Sequence, residues 1–315
     1  MKKLIALLLS AMLVLALAAC SVDGESSGGG SNSGGGSSSG GDSGGVGSIG
    51  LSISTMNNPF FVTLSEGADA KAKELDLQLI TADAGDDSAK QANDIEDLVS
   101  KGVKVLIVNP VDSDAVAPAV ETAISKGVKV VSVDRVVNGV EVDCAIASDN
   151  VAGAHMAAEY LVELLGEGAK VVELEGVSGA SATIDRGAGF HEVADSQLDV
   201  AASQTANFNR AEGMTVMENM LQANPDLKGV FAHNDEMALG AVEAVSGKDI
   251  LVAGFDATDD AVAAVQEGRM AATVAQQPDL MGATAVETAQ KLMNGDSVDK
   301  TIPVDVQLVT KDNAG

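Results

Sequence analysis

Charged side chains suited to holding a small polar molecule stand just beyond predicted strands. Asp134 and Arg135 follow the apolar run 128–133, and Asp256 follows the run 250–254. A carboxylate accepts hydrogen bonds through two oxygens, whereas a guanidinium donates them from a fixed planar fork. These residues indicate a site for a small polar ligand, and a solvated surface ion pair is the alternative for Asp134 and Arg135.

Arginine and phenylalanine are scarce, so the position of each one is informative. The chain has four arginines and six phenylalanines. Arg186 lies in the segment 185–189, which also contains two glycines. Asn58 and Pro59 suit the cap and the first position of a helix. The first turn of that helix would carry Phe60 and Phe61, for which a core position and a site position are equally compatible with the sequence.

These residue types match what a monosaccharide requires of a binding site. Sugar hydroxyl groups both donate and accept hydrogen bonds, and sugar C–H faces pack against aromatic rings. Phe208, which follows the predicted strand 200–204, supplies a further ring. A ligand that lacks one hydroxyl leaves a buried charged group unpaired, and this gives such a site its discrimination.

Alternating strand and helix patterns predict the framework that positions these residues. Short β-branched runs are separated by helical-period segments such as 89–101 and 114–126, a pattern typical of parallel sheets with crossover helices. The predicted class is α/β with doubly wound sheets, and the number of strands favours two lobes. The predicted strands are 50–54, 77–80, 103–108, 128–133, 170–174, 200–204, 229–233, 250–254 and 271–275.

Two stretches of the chain repeat one order of elements: strand, asparagine, helix, strand, aspartate. In the first stretch Asn109 precedes a predicted helix that contains 114–116, and Asp134 closes the unit. In the second stretch Asn234 and Asp256 take the same places. Ligands of open parallel sheets bind beyond the carboxyl ends of the strands. The simplest geometry is therefore a cleft between two lobes, with one aspartate supplied from each side.

The N-terminus has the layout of a secretion signal. Lys2 and Lys3 precede an apolar stretch, 4–19, that is short for a membrane-spanning helix. Residues 17–20 resemble the bacterial lipobox, in which the cysteine, here Cys20, is lipidated; an ordinary signal peptide with a chance cysteine is the alternative. The Gly/Ser-rich segment that follows predicts a flexible tether, and no further transmembrane segment is expected.

Charge and motif content argue against other classes of protein. The formal net charge of −27 excludes a basic nucleic-acid surface and favours a monomer. No phosphate-binding loop or dinucleotide fingerprint is found, and the three histidines lack metal-ligand spacing. We therefore expect no catalytic residue, metal or cofactor.

Cys144 has no disulfide partner and is expected to be a small buried hydrophobe. A transcription repressor would need an N-terminal DNA-binding module, at the position where this sequence predicts a secretion leader.

Most of the chain, residues 48–312, resembles the ribose-binding proteins of bacterial ABC sugar importers, in the type I periplasmic binding protein family. The resemblance implies two Rossmann-like lobes joined by three hinge segments, with crossovers near Ser148, Gln276 and Val304. The implied organisation is a signal peptide (1–19), a lipidated cysteine and tether (20–48), an N-terminal lobe (49–148 plus 277–304) and a C-terminal lobe (149–276 plus 305–315). The resemblance is carried by the strings 57–61, 109–116, 146–150 and 234–241.

The resemblance also implies a ligand, partners and site residues. The expected function is capture of D-ribose between the lobes and delivery to an ABC permease that recognises the closed form. The protein is expected outside the cytoplasm, anchored by its lipid to the cell membrane. Allose, another pentose or a furanose signal is the alternative ligand, and a chemoreceptor is a further possible partner. The implied ligand-binding residues are Asn58, Phe60, Phe61, Asp134, Arg135, Arg186, Phe208, Asn234, Asp256 and Gln276.

Overall fold

The computed structural model describes residues 47–315, so the expected leader, the lipidation site Cys20 and most of the expected tether lie outside the described residues. Within residues 47–315, no helix is long and apolar enough to cross a membrane. The strands are β1 Ser48–Ile53, β2 Gln78–Asp83, β3 Val105–Val108, β4 Lys129–Val133, β5 Cys144–Ser148, β6 Lys170–Glu175, β7 Asp199–Thr205, β8 Gly229–Ala232, β9 Leu251–Asp256, β10 Ala272–Ala275, β11 Thr301–Val304 and β12 Gln307–Thr310. The helices are α1 Pro59–Glu74, α2 Ser88–Ser100, α3 Ala117–Ser125, α4 Asn150–Leu165, α5 Ser181–Gln197, α6 Arg210–Ala223, α7 Asp235–Ala244, α8 Asp259–Gln266 and α9 Pro278–Asn294.

The first sheet has six parallel strands in the order β11-β5-β4-β3-β1-β2. All four residues of β3 are buried, as expected for a strand covered on both faces. Helices α1 and α9 pack on one face of this sheet, and α2 and α3 pack on the other. We call this sheet with its four helices the first lobe.

The second sheet has six strands in the order β12-β10-β9-β8-β6-β7, and β12 pairs antiparallel with β10 while the other pairs are parallel. Helices α4 and α5 cover one face, and α6, α7 and α8 cover the other. We call this sheet with its five helices the second lobe. Each sheet therefore has its own hydrophobic core on both faces, which confirms the predicted class of doubly wound α/β sheets.

The chain passes between the two lobes three times. Strand β5 belongs to the first sheet, whereas helix α4, which begins two residues after it, packs on strands of the second sheet. Strand β10 belongs to the second sheet, and α9 after it returns to the first lobe. The third passage joins β11 to β12. Two lobes joined in this way by three short segments can change their relative angle with few backbone changes.

The sequence-based prediction missed strand β5, which lies inside the first sheet, missed the edge strands β11 and β12, and was wrong at one helix start. Strands β11 and β12 lie at sheet edges, where a strand needs little apolar pattern, and β11 carries Pro303. Residues 114–116 were expected in a helix, but α3 begins at Ala117. The Asp112 carboxylate accepts from the backbone N–H groups of Asp114 and Ala115 and holds a separate turn there, and Pro118 suits the first turn of α3.

Helices α1 and α9 cross with their backbones almost touching. A Cβ on Gly67 would lie 2.3 Å from the carbonyl oxygen of Asp279, and one on Gly282 would lie 2.0 Å from that of Leu64. We expect Gly282→Ala to lower the free energy of unfolding by about 1–3 kcal/mol, although alanine is intrinsically the better helix former. Gly187→Ala, whose new Cβ would meet no atom closer than 3.6 Å, is the control. Urea unfolding compares the two variants, and equal stability would contradict a tight crossing.

Candidate functional site

A small cavity lies between the two lobes, beyond the carboxyl ends of both sheets. The structure brings all ten predicted site residues to its wall, together with one residue that the sequence did not indicate. The lining residues are Asn58, Phe60, Phe61, Asp134, Arg135, Ala182, Arg186, Phe208, Asn234, Asp256 and Gln276.

The start of helix α1 places two aromatic rings at the cavity. Asn58 caps the helix, and its side-chain oxygen accepts from the backbone N–H of Phe60 at 2.9 Å. Phe60 and Phe61 meet edge to face, with ring centroids 5.1 Å apart. Both rings are almost fully buried and belong to the core of the first lobe, yet both also line the cavity. Phe60 and Phe61 therefore belong both to the core of the first lobe and to the wall of the cavity.

Asp134 and Arg135 form a buried pair, so the surface alternative is wrong. Asp134 is 3% and Arg135 is 5% exposed. Asn109 donates to the Asp134 carboxylate at 3.1 Å, and Arg135 Nη1 donates to the carbonyl oxygen of Pro110 at 2.8 Å. The Arg135 guanidinium lies between the rings of Phe61 and Phe208, 5.1 and 5.2 Å from their centroids. This arginine therefore touches aromatic rings of both lobes.

Arg186 is held on the opposite wall by partners within the second lobe. Its Nε donates to Asn150 at 2.8 Å, and its Nη1 donates to the carbonyl oxygen of His233. The guanidinium lies 3.8 Å from the ring centroid of Phe255, and Nη1 lies 3.8 Å from Asp256 Oδ1. These contacts fix both the position and the plane of the fork, which favours directional hydrogen bonding to a ligand.

Asp256 and Gln276 form the base of the second wall. Gln276 Nε2 donates to Asp256 Oδ1 at 2.7 Å. Asp256 has a φ of 127° and the following Ala257 a φ of 54°, and such conformations cost free energy in residues other than glycine. Backbone strain of this kind is concentrated at binding and active sites. Asp256 lines the cavity from this strained position.

Asn234 and Phe208 support each other beside this wall. Asn234 caps helix α7 by accepting from the N–H of Met237 at 3.0 Å, while its Nδ2 donates to the carbonyl oxygen of Phe208 at 3.3 Å. Phe208 has a φ of 58°, an unusual value for an aromatic residue. The hydrogen bond from Asn234 helps to hold this conformation and the ring that it projects toward Arg135.

The buried charges at the cavity balance, and two buried polar atoms of its lining residues have no hydrogen-bond partner within residues 47–315. Asp134 and Asp256 face Arg135 and Arg186; burial raises the pKa of both carboxyl groups and lowers the pKa of both guanidinium groups. A site of this balance suits a neutral, polar ligand. Arg135 Nε and Gln276 Oε1 lack hydrogen-bond partners, and an unsatisfied buried polar atom is costly. One donor and one acceptor therefore remain open for ligand hydroxyl groups.

Direct hydrogen bonds also join the lobes at one edge of the cleft. The N–H of Ser113 donates to the carbonyl oxygen of Gly179 at 2.8 Å, and the N–H of Ser181 donates to Ser113 Oγ at 3.2 Å. The N–H of Val136 donates to Ser181 Oγ at 3.1 Å. Ser113 and Val136 belong to the first lobe, and Gly179 and Ser181 to the second. We call these three hydrogen bonds the clasp; they hold the lobes in the closed arrangement.

The titration of Asp235, a buried residue of the second lobe, predicts that the free energy of unfolding depends on pH. Burial raises the pKa of Asp235 from 3.8 to about 7, although Thr273 and Thr258 donate hydrogen bonds to it. The folded protein then binds this proton more tightly than the unfolded chain does, so the stabilisation is complete below about pH 3.8 and is lost as the pH rises through about 7.

We therefore expect the free energy of unfolding of the unliganded protein to fall by at least about 1 kcal/mol between about pH 5 and pH 8. Urea unfolding at several pH values measures this slope. The Asp235→Asn variant has no such proton to lose and should give a flatter profile. A wild-type profile that rises over this range, or the same slope in both proteins, would contradict the expectation.

The histidines and Cys144 take structural positions. His233 follows β8, is fully buried, and its Nε2 lies 2.8 Å from Glu173, which also contacts His191. In the part of the chain described, no group of three or more His, Cys, Asp or Glu residues could hold a metal ion. Cys144 is buried in the core of the first lobe, without a disulfide partner among residues 47–315.

Sequence reasoning missed residues that line or support the site. Ala182, at the start of α5, lines the cavity, and nothing in its type or spacing distinguishes it from other alanines. Asn109 and Asn150 hold Asp134 and Arg186. Asn109 was visible as the asparagine after a strand, but its role as a partner of a charged residue depends on side-chain direction, which the sequence does not show.

Two doubly wound lobes around a balanced polar cavity define a two-lobed binding protein that encloses its ligand. The sequence profile described as "Periplasmic binding protein domain" matches residues 49–297, and the chain belongs to this family. Among its relatives is the ribose import binding protein RbsB of Bacillus subtilis (strain 168), which is 50% identical over 266 residues, covering 84% of this chain and 87% of that protein. The family and its relatives are solute-binding transport proteins of ABC importers, at the extracytoplasmic side.

Solved structures give the same assignment of fold. An ABC transporter solute binding protein from Bacillus halodurans C-125 with bound myo-inositol superposes with a TM-score of 0.82 at 33% identity, covering 86% of this chain and 96% of that one. A periplasmic solute binding protein from Actinobacillus succinogenes 130z with bound D-allose gives 0.79 at 32% identity, covering 85% and 99%. The family therefore includes related folds that hold different polyhydroxylated ligands.

Proposed function

We propose that this protein captures D-ribose between its two lobes and delivers it to an ABC permease. The observation that carries the proposal is the cavity itself, in which an aspartate and an arginine from each lobe converge with three phenylalanine rings. The 50% identity to a ribose import binding protein supports ribose as the sugar. The ten lining residues predicted from the sequence are the proposed ligand-binding residues.

The proposed mechanism is closure of the lobes around the sugar. A ligand shifts an open–closed equilibrium only by the difference between its affinities for the two states. Here Asp134 and Arg135 would bind from the first lobe while Arg186 and Asp256 bind from the second, so a sugar makes its full set of contacts only in the closed state. The closed form, with the clasp made, would be what the permease recognises.

Calorimetric titration with D-ribose, D-allose, other pentoses and myo-inositol tests the choice of ligand. We expect ribose to bind most tightly, because a relative that is 50% identical over 266 residues is a ribose import binding protein. Tight binding of allose or another sugar without binding of ribose would transfer the same transport role to that sugar. The D-allose-bound structural relative makes allose the second candidate.

We also propose that the lobes have the bounds 49–148 plus 277–304 and 149–276 plus 305–315, which agree with the membership of the strands in the two sheets. Lipidation of Cys20 would anchor the protein to the cell membrane through the Gly/Ser-rich segment, as a monomer. Cys20→Ala tests the anchor: the variant should leave the membrane fraction, and retention there would contradict lipidation. A chemoreceptor is a further candidate partner for the closed form.

A further inference from the structure

The strained turn at the end of β9 requires more support than the binding residue Gln276 gives it. Asp256 and Ala257 both have positive φ values, 127° and 54°. Such conformations cost free energy in residues other than glycine and persist only where surrounding contacts fix them. Gln276 holds Asp256 through its side chain at 2.7 Å and through its backbone N–H, which donates to the Asp256 carbonyl oxygen at 3.3 Å. The next two residues of the turn, Ala257 and Thr258, are held by other contacts.

The support comes from a buried network around the Asp235 carboxylate. Its Oδ2 accepts from the N–H of Thr258 at 2.8 Å and from the Thr258 hydroxyl at 3.2 Å. Its Oδ1 accepts from the Thr273 hydroxyl at 2.7 Å, and Thr273 Oγ1 in turn accepts from the N–H of Ala257 at 3.1 Å. Two consecutive backbone N–H groups of the turn, at Ala257 and Thr258, are thus bound directly or indirectly to Asp235.

The neighbouring chain leaves space for this carboxylate. A Cβ on Gly254 would lie 2.4 Å from Asp235 Oδ1, so the glycine makes room in the sheet for the acid. Asp235 is fully buried and stands at the first position of α7, directly after the cap Asn234. The same residue therefore connects the helix start that carries Asn234 with the turn that carries Asp256.

We infer that Asp235 is a positioning residue for sugar binding: its carboxylate fixes the strained Asp256–Thr258 turn and sets the Asp256 carboxylate in register with Asn234. Asp235 does not line the cavity and acts through these two residues. The inference rests on the proposed function, because D-ribose is the probe of the binding experiment. Thr273 is the second member of the device, since its hydroxyl joins the carboxylate to the N–H of Ala257.

Matched variants test the inference by titration with D-ribose at pH 8, where the Asp235 carboxylate is ionised. Asp235→Asn and Thr273→Val are each expected to weaken binding about tenfold or more. Thr273→Ser retains the hydroxyl and should stay within twofold of the wild type. Thr288→Val removes another buried threonine hydroxyl, in α9 of the first lobe, and should also stay within twofold.

A second measurement needs no ligand. Hydrogen exchange at the amides of Ala257 and Thr258 in the unliganded protein should be at least tenfold faster in Thr273→Val than in Thr273→Ser. Should Asp235→Asn not fold, the Thr273 pair decides both measurements. The positioning role would be overturned if Thr273→Val bound ribose with the affinity of the wild type and its Ala257 and Thr258 amides exchanged at the wild-type rate. Failure of the wild type itself to bind ribose would instead overturn the proposed function, and the exchange rates would still decide the role of the network.

Discussion

Replacing Arg135 by methionine is expected to weaken D-ribose binding about 100- to 1,000-fold. Methionine keeps much of the apolar stem between Phe61 and Phe208, but it removes the unpartnered Nε donor at the cavity. It also leaves the buried Asp134 carboxylate without its cation, and breaking a buried pair in this way costs about 3–5 kcal/mol. Calorimetric titration of the folded variant measures the loss.

The matched control for this prediction is Arg269→Met. Arg269 is 44% exposed in its side chain and pairs with Glu267 at 2.7 Å, outside the cavity. Exposed pairs of this kind contribute about 0–1 kcal/mol, so the control should bind ribose as the wild type does. Arg135→Met binding within tenfold of the control would show that the guanidinium does not contact the sugar.

Adding one methyl group at Gly179 is expected to weaken ribose binding about 100-fold by obstructing closure. A Cβ there would lie 1.9 Å from Asp112 Oδ2 and 2.4 Å from its Cγ, across the gap between the lobes. The Asp112 carboxylate cannot easily move aside, because its Oδ1 caps the backbone N–H groups of Asp114 and Ala115. The clash also pushes apart the clasp hydrogen bond between Ser113 and Gly179.

Closure can be observed directly for this variant by small-angle X-ray scattering. We expect the radius of gyration of the wild type to decrease when ribose is added and that of Gly179→Ala to decrease less. The melting temperature of the unliganded variant should stay near the wild-type value, because the clash arises only between closed lobes. Gly187→Ala, in the same lobe but with the nearest contact of its new Cβ at 3.6 Å, should close normally; equal compaction and affinity in both variants would contradict the steric account.

The sequence predicted the framework well because parallel strands buried on both faces leave a clear signal. The apolar runs that became β3 and β4 are continuous, and the residues after their ends mark the carboxyl edge of the sheet. Strands β11 and β12 at the sheet edges carry a weaker pattern, and they were recognised only as crossovers implied by a family resemblance.

Most of the residues that line the cavity were predictable from the sequence, but the contacts that support them were not. Asp134, Arg135 and Asp256 stood out because rare charged residues followed strands. Their burial, the left-handed backbone at Asp134 and the strain at Asp256 depend on tertiary contacts. The network around Asp235 could not be predicted, because Thr273 and Thr258 lie far from it along the chain and meet it only when β9 and β10 pair.

The most direct test of the account is a crystal structure of residues 47–315 grown with D-ribose. We predict one sugar in the cavity between the lobes, with Asp134 and Arg135 binding it from one side and Arg186 and Asp256 from the other. A closed protein with no carbohydrate in the cavity, or a sugar that touches the residues of one lobe alone, would contradict it.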